Sequence, residues 1–94
     1  MEALRPQDVK LLVEKLVWYL RRECMYVSSC EIRERTAKYE IRLNFEKNIA
    51  GISTIKLILS KNGSACRVFT GVTSLDIRLK RFIQRELSKL VGKA

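Results

Sequence analysis

The sequence predicts an α+β fold of the order α-β-β-β-α, with both helices packed on one face of an antiparallel sheet. It leaves open a fourth strand before Lys38. Two observations lead there. Apolar residues recur at helical spacing near both ends of the chain, and apolar and polar residues alternate through its middle. A third follows from them: two apolar helix stripes and one apolar sheet face are best satisfied if both helices cover the same side. The other sheet face is then open to solvent.

Pro6 falls at a first helical position, and Asp8 in the first turn suits the positive end of the helix dipole. Val9, Leu12, Val13, Leu16, Val17 and Leu20 then repeat at helical spacing to about Arg22. Residues 25–36 support two readings. Cys30 and Ile32 alternate with charges as in a strand, while Ser28 and Glu31 have the spacing of a capping box that continues the helix. "KYEIRLNFEK" is a half-buried strand with Tyr39, Ile41, Leu43 and Phe45 inward.

"ISTIKLILS" is a second strand, with Ile55, Leu57 and Leu59 inward and Thr54, Lys56 and Ile58 outward. Asn62-Gly63 then signals a tight hairpin. "CRVFTGV" is a third strand, ended by Gly71; burying an arginine is costly, so Arg67 and Phe69 are placed outside. Thr73 or Ser74 is expected to cap the last helix, near Asp76. Its apolar stripe is Leu75, Leu79, Phe82, Ile83, Leu87 and Leu90, and Gly92 is its expected stop.

A chain of 94 residues makes one domain, residues 1–94, with one modest core. Charged residues at 31% beside 47% hydrophobic residues indicate a globular chain. No apolar run reaches the ~20 residues that span a bilayer. Arg5, Asp8 and Lys10 interrupt any signal-peptide pattern, so a cytoplasmic protein with no membrane partner is expected. The three cysteines, Cys24, Cys30 and Cys66, contain no C-x-x-C pair, so buried free thiols are expected rather than disulfides or a metal site.

Histidine is absent, which removes the commonest general base and metal ligand. There is no glycine-rich phosphate loop, and the carboxylates are mostly interleaved with basic residues. No catalytic residue, cofactor or metal is assigned. A binding module is expected instead.

The net charge of +9 points to polyanionic partners, nucleic acid first and anionic membrane second. The alternative is a protein–protein interaction module whose charge serves solubility. Residues 1–24 hold five basic and four acidic residues, so eight of the nine excess charges follow Cys24. Two basic constellations stand out. Lys38, Arg42, Lys56 and Arg67, with Phe69, lie on the outward sheet positions, where cations neutralise phosphates and an aromatic ring offers a stacking surface. Glu40 and Glu46 share that face, so cross-strand ion pairs are the alternative use of these bases. Arg78, Arg81, Arg85 and Lys89 form a stripe on the last helix with no carboxylate of their own. Such a stripe is otherwise a solvated helix face.

Trp18 of "KLVWYLRREC" and Leu11, seven residues before it, fall on the far side of the first helix from its apolar stripe, beside Lys15 and Arg22. A neighbouring segment covers them, or they form a dimer interface with basic stems at the rim, or, third, a base stacks on Trp18. The dimer is the expectation adopted, as a homodimer or heterodimer.

Residues 38–91 resemble the small subunits, of nine and fourteen kilodaltons, of the signal recognition particle Alu domain. "KYEIRLNF", "STIKLILSKNG" and "CRVF" resemble the three strands of the smaller subunit, and "LDIRLKRFIQRELSKL" its closing helix. The resemblance implies a basic α-β-β-β-α domain that dimerises and binds RNA on an open sheet surface. By position, Lys38, Arg42, Lys56 and Arg67 correspond to RNA-facing bases. The segment Ser28–Arg35 has no counterpart there, and the larger subunit's long basic loop is missing. The double-stranded-RNA-binding domain shares the element order, its lysine cluster echoed by Arg78, Lys80 and Arg81. A single-stranded-DNA-binding α+β protein shares it as well. The expected ligand is therefore nucleic acid, RNA before DNA.

Overall fold

In the computed structural model, which describes residues 3–49 and 51–91, α1 spans Pro6–Arg22. Pro6 opens it, and the Asp8 carboxylate accepts a hydrogen bond from the Arg5 backbone N–H at 3.0 Å. That bond satisfies one of the donors a helix start leaves free. α1 ends in a left-handed turn: Met25 N–H donates to the Leu20 carbonyl at 2.9 Å and Cys24 N–H to the Arg21 carbonyl at 3.0 Å. Cys24 holds the positive φ, 62°, that glycine usually takes in this motif. Met25 is thereby turned into the core.

The ambiguous segment is a strand. β1 (Val27–Glu34), β2 (Lys38–Ile49), β3 (Ile52–Ser60) and β4 (Cys66–Phe69) form one antiparallel sheet in the order β1-β2-β3-β4. Ser28 and Glu31 cap no helix; the Ser28 hydroxyl instead donates to the Asn44 carbonyl, where the β1–β2 register shifts. The Asn62-Gly63 connection is longer than a two-residue turn. Ser60 N–H donates to the Ala65 carbonyl, and the Asn62 side-chain oxygen accepts from Ser60 Oγ and Ser64 N–H inside the loop, with Gly63 at φ 74°. β4 stops at Phe69, short of Gly71, which takes φ 90°.

α2 (Thr73–Val91) begins at Thr73 itself, so neither Thr73 nor Ser74 is the cap that the sequence suggested. Asp76 reaches back instead. Its carboxylate accepts from Thr70 N–H at 2.8 Å and from the Thr70 hydroxyl, while Val72 N–H donates to Thr70 Oγ1 at 3.1 Å. The expected stop, Gly92, lies outside the described residues.

The core is the sandwich between the two helices and one sheet face. Val9, Leu12, Leu16 and Leu20 of α1 and Leu79 and Ile83 of α2 meet Tyr39, Ile41, Leu43, Ile55, Leu57 and Leu59. Tyr39 is buried, so its phenol needs a partner; it donates to the Leu4 carbonyl at 2.8 Å. No described helix is long and apolar enough to cross a membrane.

The helices are joined by one buried charge. Glu86 is 7% exposed and accepts from Lys15 Nζ at 3.0 Å and Lys89 Nζ at 3.2 Å. The Lys15 hydrogen bond holds its pKa below the ordinary carboxylate value against the opposing effect of burial. A carboxyl group whose pKa is lower in the folded state than in the unfolded chain contributes stability fully above its unfolded pKa and loses it as pH falls through the folded value. Acid titration of thermal stability is therefore expected to show a decline beginning near pH 4.5 that Glu86→Gln flattens. An identical acid limb in wild type and Glu86→Gln would exclude this role.

Candidate nucleic-acid interface

The residues that alternate away from the core build the open face in rows across the sheet. One row runs Glu31, Arg42, Lys56, Phe69 from β1 to β4. The next runs Arg33, Glu40, Ile58, Arg67. Ser29, Asn44 and Thr54 form a third, tied by hydrogen bonds from Asn44 Nδ2 to Ser29 Oγ at 2.9 Å and from Thr54 Oγ1 to Asn44 Oδ1 at 3.2 Å. Because facing residues on adjacent strands are close neighbours, these rows fix which charges meet.

Arg42, Lys56 and Arg67 are exposed and form no ion pair among the described residues. Phe69 is 48% exposed beside them, as the cost of burying arginine required of this strand's facing. Arg42, Lys56 and Phe69, with Arg33, Ile58, Glu31 and Glu40, border a shallow depression of about 290 Å³, and Arg67 lies outside its lining. Apolar Ile58 and Phe69 beside Arg33, Arg42 and Lys56 suit a flat base and its phosphates, with the carboxylates Glu31 and Glu40 sharing the border.

Lys38 stands apart. Its ammonium lies 3.7 Å from the Glu40 carboxylate, which Arg35 also contacts at 3.3 Å. Part of its charge is therefore offset within the protein. Arg33 is the basic residue that the sequence reading missed: it faces Glu40 across β1–β2 and forms no ion pair among the described residues. Choosing the strand reading for residues 25–36 would have placed it on this face, because it is one residue from inward Ile32.

The stripe on α2 is less free than its sequence suggests. Arg78 pairs with Glu23 of the α1 terminus at 2.9 Å, and Lys89 with Glu86 at 3.2 Å. Arg81 and Arg85 remain exposed without an ion pair among the described residues. This stripe and the sheet depression lie on opposite sides of the core.

On α1, Trp18 is 67% exposed and Leu11 42% exposed. Residues 25–35 do not fold over them, because Met25 turns into the core and β1 joins the sheet. Tyr19, one residue on, stacks on Phe82 of α2 with ring centroids 4.6 Å apart and seals the helix pair. Trp18 is thus surplus to the core.

The thiols depart from expectation. Only Cys66 is buried, and burial pushes its pKa up. Cys24 is exposed at the left-handed turn, and Cys30 is exposed on the edge strand β1. Among the described residues, no three carboxylate or thiol groups converge as a metal site would require.

Comparison of the chain with protein-family models, with curated proteins and with solved structures finds no match.

Proposed function

We propose that this protein is a non-catalytic nucleic-acid-binding module that engages RNA in preference to DNA through the outer face of its sheet. One observation carries the reading: Arg42, Lys56 and Arg67, unpaired among the described residues, surround exposed Phe69 and Ile58 on a face that no helix covers. In this reading the three cations neutralise phosphates, Phe69 stacks on a base, and Lys38 and the α2 residues Arg81 and Arg85 add longer-range attraction. The resemblance of residues 38–91 to the small Alu-domain subunits favours RNA as the ligand.

Affinity for single-stranded and duplex RNA and DNA, measured at two salt concentrations, tests the proposal. Log affinity is expected to fall linearly with log salt, each phosphate contact adding about 0.7 to 0.9 to the slope. Tight binding with a slope near zero excludes the electrostatic mechanism. No binding of any of the four ligands at low salt excludes the function.

A second reading rests on Trp18, whose exposure on an ordered helix is unusual for so large an apolar group. Leu11 and Trp18, one helical heptad apart, would be buried by a second chain, with Lys15 and Arg22 at the rim. Trp18→Ala is then expected to shift sedimentation towards monomer without loss of the circular dichroism spectrum. An unchanged sedimentation coefficient rules out this interface.

A further inference from the structure

We propose that the protein forms a two-fold dimer by pairing the free edge of β1 with the same edge of a second copy, centred on Ile32. β1 ends the sheet and has a neighbour on one side only. It is eight residues long, whereas the strand at the opposite edge, β4, has four. Seven of the eight residues of β1 are exposed and Val27 is half-buried. A long edge strand of this kind presents a row of unpaired backbone groups that proteins normally shorten, cover or pair.

The ladder fixes which groups point outward. Arg35 N–H donates to the Lys38 carbonyl at 2.8 Å at the start of the β1–β2 hairpin. Antiparallel alternation then makes Arg33–Glu40 and Glu31–Arg42 the hydrogen-bonded pairs, and turns the N–H and C=O groups of Cys30, Ile32 and Glu34 to the free edge. Ile32 shares the inner sheet face with its cross-strand partner Ile41, which is buried, yet Ile32 itself is 37% exposed. An apolar side chain on the core side of the sheet therefore lacks a neighbour in the direction of the edge.

Charge selects the register. Centred on Ile32, the pairing sets Ile32 against Ile32 of the second copy and Glu31 against its Arg33, with the reciprocal pair on the other side of the axis. Neither Glu31 nor Arg33 forms an ion pair within the chain among the described residues. Centred on Glu31, two like carboxylates would meet; centred on Cys30, no opposite charges would meet. Both outer faces then lie on one side of a continuous sheet with four strands from each copy. β1 lies outside the residues that carry the Alu-subunit resemblance, and its pairing does not depend on what the open face binds.

Sedimentation of the full chain without nucleic acid tests it. The wild type is expected to be dimeric, and Arg33→Glu or Glu31→Arg alone to weaken association about tenfold or more by setting like charges opposite each other twice. The double variant Glu31→Arg/Arg33→Glu restores opposite charges and is expected to restore the dimer. In a Cys24→Ser/Cys30→Ser background, Ile32→Cys is expected to give a disulfide-linked dimer on mild oxidation. A monomeric wild type at millimolar concentration, indifference to the single reversals, failure of the double variant to rescue, or no Ile32→Cys cross-link each overturns the proposal. These side chains are exposed, so circular dichroism is expected to stay unchanged throughout.

Discussion

Replacing Lys38, Arg42, Lys56 and Arg67 by Gln is expected to abolish most salt-sensitive RNA binding, far more than replacing Arg78, Arg81, Arg85 and Lys89. If four phosphates are contacted by a single strand, the wild type loses roughly fiftyfold in affinity between about 50 and 200 mM salt. The sheet variant is expected to lose most of that dependence. Within the set, Arg42, Lys56 and Arg67 carry the effect, because Lys38 already lies 3.7 Å from the Glu40 carboxylate. The α2 set has a smaller effect: Arg78 and Lys89 are engaged by Glu23 and Glu86 before any ligand arrives. Phe69→Ala is expected to cost about 1–3 kcal/mol of binding if a base stacks there. Filter binding or fluorescence anisotropy with each set, at matched circular dichroism, reads the ranking. The reverse ranking would move the site to the helical side of the molecule.

The largest expected effect on stability separates two adjacent residues of β3. Leu57 points into the sandwich and is fully buried, whereas Ile58 points out to the floor of the open depression. Leu57→Ala removes buried methyl groups and leaves a cavity, at about 2–5 kcal/mol, which in a domain of this size lowers Tm by on the order of 10 °C or more. Ile58→Ala is expected to cost under about 1 kcal/mol of stability, because its side chain is half-exposed, and to weaken nucleic-acid binding instead. Thermal denaturation of the two variants checks this. Similar Tm losses for both would mean that the outer face is covered in solution.

Both predictions depend on strand facing, which was legible in the residues. Tyr39, Ile41, Leu43 and Phe45 alternate with charges, and the cost of burying Arg67 decides the facing of β4 without reference to any other element. The same holds for Trp18: seven residues from Leu11 and away from the apolar stripe of α1, it is exposed as its helical position requires. β1 was harder to read because this edge strand, exposed at seven of its eight residues, carries only Cys30 and Ile32 as an alternating apolar pattern. Two residues cannot separate a strand from a capped turn. The α1 terminus was obscured for a similar reason, since Cys24 occupies the left-handed position where glycine would have marked the turn.

The sequence by itself determined the two helices, three of the strands, the face each turns to the core and the basic character of what remains outside. These properties are periodic, and periodicity is written in residues a few positions apart. Only the tertiary structure decided which of the outward charges are free. Arg78 meets Glu23 only because the start of α2 passes the end of α1, and Lys38 shares Glu40 with Arg35 only because the β1–β2 hairpin closes as it does. Arg42, Lys56 and Phe69 fall in one row through the register of three strands, and Ile32 is left 37% exposed because β1 is the edge of the sheet. A charge's partner is set by distances across the fold, which the backbone's local pattern does not encode.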